Sequence, residues 1–261
     1  YYLKKGIVKT DLLNVRSFKY YVDGALGSRG ALLRAPYSDK ENHFGLAVNS
    51  FEDLQETASR IANSEFQMNT HAIGDSANHM VLQTYKEVLK GKNDRRWKVE
   101  HAQVISPKDF ELFDDIIPSV QPTHATSDMY WAEDRVGAER IKGAYAFKDV
   151  LNQYGKVVLG TDFPVEHVSP FLTFYAAVAR QDLKGYPETG YQMENALSRE
   201  ETLKGMTIWA AYSNFEEHEK GSIETGKFAD FIILDKNIMV IEASQIPNIK
   251  VVKTFVDGEA Q

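Results

Sequence analysis

The stretch Phe66–Asp75, FQMNTHAIGD, decides how the rest of this chain is interpreted. Its first residues alternate in polarity as a strand does, His71 ends the strand, and Gly74 leads at once into a helical pattern. A strand that ends on a candidate ligand and continues into a helix is the repeating unit at the mouth of a parallel β/α barrel. We therefore expect His71 to lie at the carboxyl end of a barrel strand.

The same arrangement recurs twice downstream. The segment WKVEHAQ ends a strand on His101, about one strand–helix–strand repeat after His71. The segment KVVLGTDFP ends another strand on Asp162, and Phe163-Pro164 stops that strand sharply. The spacing predicts that the two histidines lie at the mouths of neighbouring strands and that the aspartate lies at the mouth of a third.

Hydrophobic periodicity and turn signals predict an α/β fold. Strands are expected at 18–22, 66–70, 97–100, 116–120 and 156–160, helices at 50–62, 75–90, 143–154 and 198–211 and after residues 106 and 169, and a long polar loop at 125–142. From residue 213 the pattern changes to short β-rich segments with a hairpin turn at Asp257-Gly258. We predict a partial barrel over 1–212 and part of a small β-sandwich over 213–261, because five strands are too few for a closed eight-stranded barrel.

Composition narrows the class of protein. Hydrophobic residues make up 43% of the 261 residues and the net charge is −7, so a real core is expected, with neither nucleic acid nor a membrane as partner. The sequence contains no cysteine, which excludes thiolate ligands and suits a reducing compartment. We expect a cytoplasmic location, and a small-molecule substrate as the partner.

Histidine and carboxylate are the ligands of a zinc-like divalent ion that activates water in a hydrolase. Any one of these histidines could instead be an ordinary hydrogen-bonded residue, but three such residues at three strand mouths favour a metal site at His71, His101 and Asp162. His124 could contact substrate or merely order its loop. Lys19 could be a structural lysine or carry a carbamate that bridges two metals. Solvated surface is the expectation for the remaining histidines, His43, His79, His167 and His218.

A glycine-rich loop, GALGSRG, follows the strand at 18–22. It lacks the order of residues that a phosphate-binding loop requires, so a positioning loop above a barrel strand is favoured, with a plain turn as the simpler alternative. Asp23 and Arg29, at its start and near its end, are candidate substrate-binding residues.

Taken together, these motifs resemble the amidohydrolase superfamily, in its YtcJ-like branch (family three). The resemblance covers nearly the whole chain from residue 18, through KYYVDGALGSRGALL, NTHAIGDSANH, VEHAQ, VQPTHATSD, VLGTDFPVE and GSIETGKFADFIILD. It implies a metal-dependent hydrolase of carbon–nitrogen bonds on a TIM barrel, with a small β-sandwich built from both chain ends.

By the same resemblance, His71 and His101 match the metal ligands of barrel strands five and six, and Asp162 matches the strand-eight aspartate that binds metal and shuttles protons. Lys19 falls where strand four would supply a bridging group, with Asp23 as a rival. The family begins its site with His-x-His on strand one, and no such motif occurs in this sequence. We therefore expect the C-terminal half of such a protein, strands four to eight. The parent protein is expected to hold one or two ions, whereas this chain alone is expected to bind metal weakly or not at all and to turn over little or nothing.

Two other functions remain open at this point. The chain could be a non-catalytic binding or scaffold module in which the half-site is vestigial, or its parent could hydrolyse esters or lactones, because metal-assisted chemistry does not itself select nitrogen. An open half-barrel would expose strand edges, so we also expect self-association, pairing with the missing N-terminal half, or low stability.

Overall fold

The computed structural model describes all 261 residues, and these form two compact units: residues 1–120 with 130–156, and residues 121–129 with 157–261. The helices, in chain order, are α1 Tyr2–Lys5, α2 Phe51–Ala62, α3 Asp75–Leu89, α4 Pro122–Asp128, α5 Ala132–Arg140, α6 Phe147–Tyr154, α7 Pro170–Ala179, α8 Arg199–Met206 and α9 Ile208–Ser213. The strands are β1 Val8–Lys9, β2 Asn14–Val15, β3 Ser17–Tyr21, β4 Gln67–Ala72, β5 Lys98–His101, β6 Ile117–Val120, β7 Val158–Leu159, β8 Phe231–Leu234, β9 Val251–Val256 and β10 Glu259–Ala260. Short 3-10 helices cover Pro107–Phe113, Ile141–Gly143, Met193–Asn195 and Ala243–Asn248.

The first unit is built on parallel strands that pair in the order β3-β4-β5-β6. Strands β4 to β6 are mostly buried, as expected of parallel strands covered by helices. The predicted α/β class is therefore confirmed, and all five strands predicted for the partial barrel are present, with β7 in the second unit.

Helices α2 and α3 form where the sequence carries start signals and an apolar face. The Ser50 hydroxyl accepts the backbone N–H of Asp53 at 3.1 Å, which confirms the predicted N-cap of α2. In α3 the predicted face Ala77, Val81 and Tyr85 is buried. This helix ends at Leu89 because Lys90 adopts a left-handed conformation, one residue before the glycine that the sequence suggested.

In the second unit, α7 packs on the 3-10 helix Ala243–Asn248 through the buried residues Phe174, Tyr175, Ile246 and Ile249. The last three strands form an antiparallel sheet in the order β10-β9-β8, and the predicted hairpin at Asp257-Gly258 joins β9 to β10. The predicted capping box of Ser198 and Glu201 opens α8 with both hydrogen bonds made. The helix predicted through residue 211 is interrupted at Thr207, and α9 begins at the next residue.

The long loop predicted over 125–142 is wrong, because this segment is helical. Pro122 occupies the first turn of α4, and α5 follows with a non-helical Gly137 (φ 78°) inside it. Few residues of these helices are apolar, so the hydrophobic pattern was too weak to indicate them. Similarly, α6 begins at Phe147 and not at 143, since Ile141–Gly143 is a 3-10 turn.

The boundary predicted between residues 212 and 213 divides barrel-type from sandwich-type sequence and stays a prediction.

None of the helices combines the length and the apolar character that a bilayer crossing requires.

Candidate metal centre

The two histidines predicted as ligands lie side by side in the first unit. His101 is the last residue of β5 and pairs in register with Ala72 of β4, one residue after His71. Their imidazole rings meet edge to face with centroids 4.4 Å apart, and the ring of Tyr21 lies 5.3 Å from that of His71. The expectation that parallel strands bring these imidazoles together is met by the geometry.

The backbone at the end of β5 is unusual. His101 and the following Ala102 both have positive φ, 75° and 43°, and Asp162 in the second unit has φ 58°. Left-handed conformations are uncommon for residues other than glycine, although histidine and aspartate adopt them more readily than most. Such conformations concentrate at functional sites, where the surrounding structure holds them.

The carboxylate of Asp23 lies beside His71. Its oxygen Oδ1 lies 3.5 Å from Nε2 of His71, and its side chain is fully buried. The carboxylate accepts backbone N–H groups from Leu32 at 2.8 Å, Ile73 at 3.0 Å and Gly74 at 2.8 Å. Burial raises the pKa of Asp23 to about 6, although these N–H groups oppose the rise. Such surroundings favour an anchoring role over the substrate contact that the sequence suggested.

The second unit holds a cluster of polar side chains around His124. Nε2 of His124 lies 3.2 Å from Oδ2 of Asp162, and its Nδ1 lies 3.1 Å from Oε1 of Glu166. The Ser127 hydroxyl donates to the same Glu166 oxygen at 2.6 Å. Burial alone would lower the pKa of His124, but the two carboxylates raise it to about 9. The hydrogen bond from His124 in turn lowers the pKa of Glu166.

Glu166 was missed by the sequence analysis. It follows Asp162 by one helical turn of spacing in TDFPVE, but without the fold nothing in that spacing distinguishes it from a solvated acidic residue. The structure therefore gives His124 two carboxylate partners. The sequence alone left open whether His124 contacts substrate or orders its loop.

Lys19 and Arg29 have partners of their own in the first unit. Lys19 is exposed, pairs in register with Asn69, two residues before His71, and has its ammonium 5.0 Å from the centre of the Tyr21 ring. Arg29 makes a bidentate ion pair with Asp39 at 3.0 and 2.8 Å. Neither side chain contacts a candidate ligand through any of these interactions.

The glycine-rich loop is in contact with α5 and with the residue that precedes this helix. Arg135 of α5 donates to the Gly27 carbonyl at 3.3 Å and also binds Asp39. The indole of Trp131 covers Gly27 so closely that a Cβ there would lie 3.2 Å from the ring. The loop closes back on itself through its own backbone, with Gly24 N–H donating to the Gly30 carbonyl at 3.1 Å.

The histidines expected on the solvated surface divide into two groups. His167 and His218 are exposed, as predicted. His43 is half-buried and hydrogen-bonded to the Arg29 carbonyl at 2.8 Å, so the surface expectation is wrong for it. The side chain of His79 is 40% exposed and also contacts Asp109 at 3.0 Å. Their partners lie in distant segments of the chain and carry no local sequence signal.

The model of a family described as "Amidohydrolase family" matches residues 4–260. Protein LONG AFTER FAR-RED 3 of Arabidopsis thaliana is 36% identical over 98% of this chain and 44% of its own length. The proposed amidohydrolase YtcJ of Bacillus subtilis (strain 168) is 32% identical over 93% of this chain and 46% of its own length.

Among solved structures, an uncharacterized metal-dependent hydrolase from Pyrococcus horikoshii OT3 superposes with a TM-score of 0.81. It is 31% identical and covers 91% of this chain, which matches 48% of the Pyrococcus chain. The chain thus spans about half the length of the relatives that it matches.

Proposed function

The chain belongs to the amidohydrolase family, in its YtcJ-like branch, and from this premise we propose that it forms part of a metal-dependent hydrolase acting on carbon–nitrogen bonds of the non-peptide amide type. The single observation that carries the proposal is the pair of imidazoles at the ends of neighbouring parallel strands, His71 and His101, with ring centroids 4.4 Å apart. The names of the family and of the Bacillus relative support nitrogen as the leaving atom.

The donor chemistry of the candidate residues fits a divalent ion. We propose His71, His101 and Asp162 as its ligands, because two imidazole nitrogens and a carboxylate oxygen are donors that zinc takes in hydrolases. When bound, such an ion supplies Lewis-acid activation of water and of the bond to be cleaved. Zinc is the proposed metal, with one or two ions in the whole protein.

The residues of the second unit then have distinct roles. We propose that Asp162 accepts the proton of the attacking water and returns it to the leaving nitrogen. His124 is held between two carboxylates, at 3.2 Å from Asp162 and 3.1 Å from Glu166, and its raised pKa keeps it a hydrogen-bond donor. Both ring nitrogens are engaged in this arrangement, so contact with the carbonyl oxygen of a substrate requires that Asp162 releases Nε2.

The substrate role predicted for Arg29 requires that Arg29 leaves its ion pair with Asp39. The metal role predicted for Lys19 requires that its ammonium leaves the ring of Tyr21. The chain alone is expected to bind metal weakly and to turn over little, because its sequence supplies no His-x-His pair. A small-molecule substrate and a cytoplasmic location complete the proposal, the latter on the cysteine-free composition.

Metal binding tests the centre directly. The chain, purified without chelator, is titrated with Zn²⁺ against a chromophoric chelator, alongside His71→Ala and His101→Ala. His218→Ala is the matched control, because the side chain of His218 is 92% exposed. We expect both ligand variants to lose at least about tenfold in affinity while the control matches the wild type. Equal affinity in all four proteins would contradict the proposed ligands.

The bond class is tested on the longest protein that contains this chain. A panel pairs formamides, urea-like amides and cyclic imides with ester and lactone analogues of the same acyl groups. Cleavage of the nitrogen series is expected. Cleavage of esters alone would replace the proposed bond class, and metal binding without any cleavage would favour the non-catalytic module.

A further inference from the structure

The turn that follows His71 is held on both sides by buried polar side chains. Asp23 accepts the N–H groups of Ile73 and Gly74. The side-chain amide of Asn78 reaches the carbonyls of the same two residues, at 3.2 and 3.0 Å. Asp23 and Asn78 are 2% and 0% exposed, so every polar group of this turn is paired away from water.

The same two side chains also reach the neighbouring segments. Asp23 binds the Leu32 N–H, and the Leu32 carbonyl in turn accepts the N–H of Ser76 at 3.1 Å. Asn78 donates to the Val104 carbonyl at 3.0 Å, and the Val104 N–H donates to the Ile73 carbonyl at 2.9 Å. Val104 lies three residues after His101, so the contacts connect the ends of β3, β4 and β5.

The two segments that flank this turn are closely packed. A Cβ added at Gly74 would lie 2.0 Å from the Leu32 carbonyl oxygen, so the β4–α3 turn and the loop after β3 touch backbone to backbone. Because buried hydrogen bonds that join several segments restrain them, His71 and His101 each continue into a segment whose position is tied to that of the other.

We infer that Asp23 and Asn78 form a buried polar frame, the Asp23–Asn78 frame, that positions the imidazoles of His71 and His101 relative to each other. Both are positioning residues and touch no substrate. Asp23 adds an electrostatic contact of 3.5 Å to Nε2 of His71. At this distance a carboxylate favours the tautomer whose proton faces it, so we expect the neutral His71 ring to carry its proton on Nε2. This inference rests on the proposed function only for its metal readout.

The test uses Asp23→Asn, which keeps the shape of the side chain and replaces one acceptor oxygen by an NH₂ group. The matched control is Asp109→Asn, since Asp109 is a second carboxylate of the same unit, 4% exposed. Asp109 binds Arg34 at 2.7 Å and His79 at 3.0 Å, and none of these three residues belongs to the frame.

Three readouts are compared: long-range ¹H–¹⁵N spectra of chains labelled at histidine, amide hydrogen exchange, and Zn²⁺ affinity by chelator competition. In Asp23→Asn we expect shifted His71 ring nitrogens, at least about tenfold faster exchange at Leu32, Ile73 and Gly74, and Zn²⁺ affinity lower by about 10–100-fold. Asp109→Asn should leave all three unchanged. The His71 resonances are assigned from the spectrum of His71→Ala.

Faster amide exchange in Asp23→Asn with unchanged His71 resonances would make Asp23 purely structural and overturn the inference. If the wild type binds no Zn²⁺, the proposed metal centre fails, while the ring and amide readouts still decide on the frame. If Asp23→Asn does not fold, the wild-type tautomer decides instead, and a proton on Nδ1 of His71 would overturn the inference.

Discussion

Tyr85 offers a quantitative test of how the sheet is joined to its helix. Its side chain is fully buried, and its hydroxyl lies 2.6 Å from Oγ1 of Thr70, 3.2 Å from the Met68 carbonyl and 3.4 Å from the Lys98 carbonyl. One side chain of α3 thus reaches β4 and β5, the strands that carry His71 and His101. The perturbation is Tyr85→Phe, which removes the hydroxyl and leaves the ring.

The expected cost follows from these contacts. A neutral intramolecular hydrogen bond contributes about 1 kcal/mol net, and a buried hydroxyl left without its partner costs about 1–3 kcal/mol. Thr70 is 0% exposed, so its hydroxyl cannot turn to solvent. We therefore expect the free energy of unfolding to fall by about 2–3 kcal/mol.

Urea unfolding followed by tryptophan fluorescence measures this change, because the ring of Trp97 lies 4.7 Å from that of Tyr85. Tyr130→Phe is the matched control, since Tyr130 is 58% exposed, and its effect should stay within about 0.5 kcal/mol. Combining Tyr85→Phe with Thr70→Val removes both partners together, so the double variant should cost about 1–2 kcal/mol less than the two single costs added. Additivity within about 0.5 kcal/mol would refute the proposed coupling.

Three further changes probe other parts of the chain. Burial lowers the pKa of Lys98 from 10.5 to about 8, so the folded chain releases this proton before the unfolded chain does and gains stability as pH rises through that window. The free energy of unfolding of Lys98→Met should therefore exceed that of the wild type most below pH 8, and this difference should shrink by about 2–3 kcal/mol by pH 10.5. Urea unfolding measured across that pH range tests this, and a constant difference would contradict it. Ser198→Ala removes the capping box of α8 and should cost about 1 kcal/mol in urea unfolding, with Ser244→Ala, at an exposed position, as a control that should cost almost nothing. Arg95 donates to the Ala62, Ser64 and Phe66 carbonyls after α2, so Arg95→Ala should cost about 1–3 kcal/mol in thermal or urea unfolding, and retention of full stability would show that water replaces the guanidinium there.

Much of the fold could be predicted from signals within short stretches of the sequence. The Ser50 cap and the capping box of Ser198 and Glu201 depend on residues three apart, and the strand ends at His71 and His101 follow from alternation that stops at a turn. Parallel pairing then brings the two imidazoles together, because neighbouring strands of a parallel sheet end at the same edge. These features could be predicted from the sequence since each is determined within one strand–helix repeat.

Other features depend on contacts between distant segments. The sequence of helix α5 carries little helical pattern. The helix is held instead by Arg140, which donates to the carbonyls of Ala35 and Pro36 about a hundred residues earlier. The buried carboxylate of Asp23 and the amide of Asn78 bind backbone groups, and backbone groups have no sequence identity to recognise. Glu166 gains its partner His124 only through the fold.

The left-handed backbone at His101, Ala102 and Asp162 has a consequence for directed evolution of this protein. L-residues in that conformation cost about 1–2 kcal/mol each, and stabilising substitutions are usually easy to find where function imposes such a cost. A library selected only for heat resistance should therefore enrich glycine or asparagine at 101 and 162, and the most heat-resistant clones would have discarded their proposed metal ligands. Selection schemes should retain a binding step in every round.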